Sequence, residues 1–130
     1  MTQKPPARFD GHYPYRAPID AYGNGGFRFA DMSHRGSLLC LPSGIYAWEV
    51  SRIEDLTLEA LARVWPEKGP LGFLLLGTGA THVFPAPEIR KAFVEAGIGL
   101  EPMTTGAAAR TYNVLLAEGR PVGAALIAVS

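Results

Sequence analysis

The apolar positions change period along this chain, and each change marks an element. From Ile19 the pattern is short and strand-like: "IDAY", "GNGG" and "FRF" read as strand, tight turn and strand, because Asn24 and its glycines tolerate the positive φ that short hairpins demand. "SLLCLP" and "IYAWEV" predict two further strands separated by Pro42, Ser43 and Gly44, so the first third reads as a β meander. A three-to-four spacing then takes over. Thr57 can cap a helix carrying Leu58, Leu61, Ala62 and Trp65, which Pro66, Gly69 and Pro70 end. "FLLLG" is apolar on both faces, as a strand covered on both sides must be. A second helix is predicted over Pro87 to Ala96, with Ile89, Phe93 and Ala96 inward and Gly97 as its stop. "GLEPM" is a strand limited by Pro102, Thr105 caps a third helix, and "PVGAALIAV" closes the chain as a buried strand.

Strands alternating with helices imply crossover connections. The predicted fold is therefore α/β and three-layered, with a central mixed sheet, helices on both faces and an N-terminal β meander. A chain of 130 residues suits one domain. Four of its 11 prolines fall in the first eighteen residues, so residues 1–18 are expected to form an extended arm with a disordered end, and residues 19–130 the single domain.

Composition narrows the function classes. Lys and Arg number 12 and Asp and Glu 12, so a net charge of +0 supplies no global field toward nucleic acid or anionic lipid, and no nucleic-acid partner is expected. The apolar runs "LGFLLLG" and "VGAALIAV" fall far short of the ~20 residues of a membrane helix, and the N-terminal stretch has no apolar signal core. Cytoplasm is the expected compartment. Cys40 is the single cysteine, excludes an internal disulfide and reads as a core strand residue.

Most catalytic patterns are missing. His12, His34 and His82 are scattered, with no HxH or HExxH, so no metal and no cofactor is expected. No GxSxG occurs, and Ser33 beside His34 is only a chain-neighbour pair. Asp55 and Glu59 are helix-entrance acids, not an acid/base dyad. "LLLGTGATH" fails as a dinucleotide fingerprint because His82 stands where the third glycine belongs, and as a P-loop because Thr78 stands where lysine should follow Gly77.

One constellation remains. In the third helix Ala108, Tyr112, Leu115 and Leu116 form an inward stripe, while Arg110 and Asn113 share an outward one. If "FLLLG" and "GLEPM" are parallel neighbours, the loop of Gly77, Thr78 and Gly79 meets Thr105 at their carboxyl ends, where open α/β sheets hold ligands. Gly77, Thr78, Gly79, Thr105, Arg110, Asn113 and Arg120 are thus the candidate residues of a small anionic-ligand binder or enzyme. Arg120, at the helix's far end, is expected to anchor carbonyls or Glu118. The stretch Phe27 to Phe29 is a candidate edge for pairing with a second copy.

"IDAYGNGGFRF", "GSLLCLP", "YAW", "GTG", "GIGLEPM", the run from Thr105 to Arg120 and "GAALI" together resemble a small domain family of largely unassigned function. That family occurs in archaeal and bacterial orphan proteins and in the mitochondrial NADH dehydrogenase assembly factor three, and the resemblance covers Ile19 to Ile127. It implies a three-layer fold with a mixed sheet, no known catalytic activity and, in the mitochondrial relatives, help in building respiratory complex I with partner assembly factors. The first expectation is accordingly a non-enzymatic protein-interaction module with a protein partner, assisting assembly of a complex I-like machine. Small-ligand binding is the alternative.

Overall fold

A computed structural model describes residues 9–130. The described residues form two sheets, two α-helices and short 3₁₀ turns. The strands are β1 (His12–Tyr13), β2 (Ala21–Gly23), β3 (Gly26–Phe29), β4 (Met32–Arg35), β5 (Ser37–Leu41), β6 (Gly44–Trp48), β7 (Phe73–Gly77), β8 (Gly99–Met103) and β9 (Val122–Leu126). The helices are α1 (Pro87–Ala96) and α2 (Thr105–Ala117). The larger sheet has the order β1-β6-β5-β9-β7-β8, and β2-β3-β4 form a separate three-stranded sheet.

The larger sheet is mixed, because its two halves are connected differently. β5 and β6 form a hairpin around Pro42 and Ser43 and pair antiparallel, whereas β7, β8 and β9 are joined through helices and run parallel. The chain moves one way along the sheet from β7 to β8, then back past β7 to β9. Crossovers of a single hand travelling in opposite directions place their helices on opposite faces, and α1 and α2 do pack on opposite faces. Side-chain alternation serves both layers. Leu38, Cys40, Leu75, Ala124 and Leu126 face α2 and the small sheet, while Leu39, Leu41, Leu74, Leu76 and Ala125 face α1. Each fully buried leucine of this set stabilises the fold by roughly 1.5–3 kcal/mol.

The segment after Thr57 departs from the expected helix. It forms separate 3₁₀ turns, Glu59–Leu61 and Trp65–Glu67, with Leu61 and Val64 buried and Leu58 exposed. Thr57 does accept the Ala60 N–H. The carbonyl of Ala60, which an α-helix would bond to the Val64 N–H, instead accepts the Trp48 indole N–H at 2.8 Å, and Val64 turns back to Leu61. A tertiary hydrogen bond therefore replaces the helical one.

One expectation about edges changes as well. β3 is the middle strand of its sheet, with Phe27 and Phe29 buried, so it offers no edge for pairing with a copy. One edge strand of the larger sheet is β8, where Gly99 N–H bonds Gly72 and Met103 C=O bonds Thr78, both toward β7. By alternation Pro102 stands where an N–H would face outward, and its missing donor blunts that edge. Of the expected arm, residues 1–8 lie outside the described residues. Within the remainder, β1 pairs with β6 and Arg16 donates to the Val122 carbonyl at 2.9 Å.

Candidate functional site

β7 and β8 are parallel neighbours in the register Leu76↔Pro102 and Gly77↔Met103, so the loops that follow them leave the same edge of the sheet. Thr78 N–H donates to Met103 C=O at 2.8 Å. Gly79 N–H donates to Thr105 Oγ1 at 3.0 Å, and Thr105 N–H returns a bond to Gly79 C=O at 2.9 Å. Gly77, Thr78, Gly79 and Thr105 therefore form one connected cluster. Outside it opens a hollow of about 530 Å³, bounded by the Thr78–Thr81 loop, Ser51–Glu54, Thr104, Arg110, Tyr22 and residues 127–130.

The local chemistry explains the glycines. A Cβ on Gly77 would lie 3.0 Å from both Cα and Oγ1 of Thr105, so glycine here lets the start of α2 sit directly on β7. Gly79 has φ +108°, which a side chain would strain. Thr105 is fully buried and its hydroxyl donates to Ile127 C=O at 2.6 Å while accepting from Gly79, so it ties three segments together. The helix cap is its neighbour Thr104, whose hydroxyl accepts the Ala107 N–H at 3.3 Å, in place of the expected Thr105. Thr78 Oγ1 donates to Thr81 C=O at 2.6 Å and accepts from Val83 N–H, holding the loop in shape.

The remaining candidates separate. Asn113 is half-buried and brackets the backbone of Ile19, accepting its N–H and donating to its C=O, both at 2.8 Å. Arg110 is exposed, reaches the Tyr22 hydroxyl at 3.3 Å and borders the hollow. Arg120 follows the opposite end of α2, away from the loop cluster. Its side chain lies 6.0 Å over the Phe73 ring, and among the described residues it bonds neither a carbonyl nor Glu118. Tyr22, 43% exposed and packed over Gly106, is the bordering residue that sequence reasoning passed over, because "IDAY" reads only as a strand. Arg52 and Glu54 also line the hollow; they pair at 3.2 Å, and a bond from its own backbone N–H with Arg52 beside it holds the Glu54 carboxyl below the usual carboxylate range.

What this edge can do follows from its donors. The hydroxyls of Thr78 and Thr105 and the amide of Asn113 are engaged within the fold. Arg52, Arg110 and the hydroxyl of Tyr22 remain as polar groups at the rim. Such a surface can meet an anion or a partner chain.

Known proteins of similar sequence and fold fall into two groups. An uncharacterized protein of Rhodobacter capsulatus is 43% identical over 111 residues, covering 85% of this chain and 83% of that protein. The NADH dehydrogenase (ubiquinone) 1 alpha subcomplex assembly factor 3 of Mus musculus is 31% identical over 115 residues, covering 88% of this chain but 62% of the factor, so the chain spans under two thirds of that relative's length. Among solved structures, a Bartonella henselae chain described as an outer membrane protein superposes with a TM-score of 0.88 at 53% identity, covering 92% of this chain and all of that one. A Rhodopseudomonas palustris protein solved by NMR gives a TM-score of 0.80 at 42% identity over 98% of this chain and 90% of its own. No helix among the described residues is long and apolar enough to cross a membrane. Residues 19–127 match the family described as Protein of unknown function (DUF498/DUF598), and the chain belongs to it.

Proposed function

We propose that this chain is a non-enzymatic protein-interaction module that assists assembly of a respiratory, complex I-like NADH dehydrogenase, acting from the cytoplasm. The observation that carries this reading is the relationship to complex I assembly factor 3 of animals, which extends across 88% of the chain in the mouse protein. The state of the carboxyl-edge cluster agrees with it, since the side chains that would serve catalysis brace the fold instead. Affinity purification of the full chain from its own cell tests it. A stoichiometric partner that is an NADH dehydrogenase subunit or a second assembly protein is expected; recovery of the bait alone would overturn the reading.

A second reading rests on the 530 Å³ hollow outside the carboxyl ends of β7, β8 and β9, with Arg52 and Arg110 at its rim. A small anion held there, with the Gly77–Gly79 loop and the start of α2 behind it, would stabilise the fold by ~2.7 kcal/mol at a hundredfold excess over Kd. Thermal melting across a panel of anionic metabolites reads this directly, and no shift with any of them rejects it.

A further inference from the structure

The small sheet turns one face to the core and the other to solvent. Phe27, Phe29 and Met32 are buried against the larger sheet. On the outer side the register places Ala21 beside Arg28 and Arg28 beside Ser33, with Gly26 beside Arg35. Ala21, Gly26, Arg28, Ser33 and Arg35 line a second hollow of about 430 Å³. Around the β2 edge the surface continues to Tyr22, 43% exposed, and to Arg110, which donates to its hydroxyl at 3.3 Å.

The charge on this surface is uncompensated. No Asp or Glu lines the hollow, and the ion pairs among the described residues join Arg52 to Glu54 and Asp55 and Lys91 to Glu95, none of which lies here. Asp20 and Asp31 stand at the margins, within 4.0 Å of no arginine nitrogen among the described residues. His34 also borders the hollow, but its Nε2–H donates to Ser37 C=O and burial holds its pKa down, so it adds no charge near neutral pH. Arg28 and Arg35, without an acidic partner among the described residues, share the hollow with exposed Tyr22, and arginine and tyrosine are among the residue types that dominate binding energy at protein interfaces. Guanidinium forks also suit carboxylates in particular.

We propose that this outer face, with Arg28 and Arg35 in its hollow and Tyr22 and Arg110 at its edge, is the docking surface for an acidic segment of a partner protein. The proposal deepens the interaction-module reading and rests on it. A protein segment fits better than a nucleic acid: the chain's net charge of +0 provides no field to gather a polyanion, and three arginines fall short of the ~6–10 phosphate contacts of strongly salt-dependent DNA binders.

The test uses the full chain as bait in its own cell, in three forms: wild type, the double variant Arg28→Glu/Arg35→Glu, and Arg90→Glu, an equal change on α1 at the opposite face. A photo-crosslinking amino acid at exposed Ser33 identifies what touches the hollow. Wild type and R90E should recover the same partner, the double variant about tenfold less, and the peptide cross-linked at Ser33 should carry several Asp or Glu. Melting and far-UV circular dichroism of the double variant should match wild type; if it fails to fold, Arg28→Gln and Arg35→Gln singly replace it, each with reduced recovery expected. Equal recovery by the arginine variants and wild type, or a cross-linked peptide without net negative charge, would overturn the surface assignment while leaving the interaction reading standing. Recovery of RNA or DNA through Ser33 would also overturn it. If wild type recovers no partner at all, both fall together.

Discussion

Replacing Thr105 by valine isolates one hydroxyl. The side chain is fully buried and isosteric with valine, so the change opens no cavity, but it removes the donor to Ile127 C=O at 2.6 Å and the acceptor for Gly79 N–H at 3.0 Å. A buried polar group left without a partner costs about 1–3 kcal/mol. Ile127 is 2% exposed and bears that cost in full, whereas half-buried Gly79 can recruit water for its N–H. The expected loss is therefore about 2–4 kcal/mol, against a total stability of about 5–15 kcal/mol for a domain of this kind. Thr105→Ser keeps both bonds, deletes one methyl and should cost about 1 kcal/mol. Urea unfolding followed by circular dichroism measures the difference, with the slope against denaturant unchanged. A valine variant within ~0.5 kcal/mol of wild type, or a serine variant as weak as the valine one, would refute the assignment of Thr105 as a structural brace.

Ala30 has φ +49° in the turn between β3 and β4, where a Cβ is strained, so Ala30→Gly should raise stability by about 0.5–1 kcal/mol in the same unfolding assay; a loss would contradict this. Burial lowers the His34 pKa, so the unfolded chain binds the proton more readily: stability should be full above about pH 6.5 and fall as pH drops through the lower folded pKa, and His34→Asn should flatten that slope. Cys40 is fully buried and its thiol is pushed up to about 12, so a thiol reagent should label the chain only on unfolding; rapid labelling of the native protein would place Cys40 wrongly.

The layers of the fold were legible because burial dictates them. "FLLLG" and "PVGAALIAV" are apolar on both faces, and both form interior strands of the larger sheet, covered on each face. The Asn24–Gly25 turn carries its signature openly, whereas the next turn does not: Ala30 and Asp31 adopt positive φ without a glycine, and β4, "MSHR", shows no alternating apolar pattern. The 3₁₀ segment was misread because its periodicity is helical, and only the distant Trp48 indole, claiming the Ala60 carbonyl, breaks the ladder. At the carboxyl edge the meeting of the two loops followed from strand order. The use of each donor did not. Thr105 and Asn113 bond backbone groups 22 and 94 residues away in sequence, and Thr104 takes the cap. The same limit hid Tyr22 and the arginines of the small sheet, which gather only when three strands and α2 are brought together.

The proposed role requires this chain to bind a growing NADH dehydrogenase. Native electrophoresis of gently solubilised membranes, from cells carrying a tagged copy of the full chain, tests it most directly. The tag should migrate with an incomplete NADH dehydrogenase particle, and deleting the gene should lower the fully assembled enzyme. A tag that runs only as the free chain, with the assembled enzyme undiminished in the deletion, would contradict it.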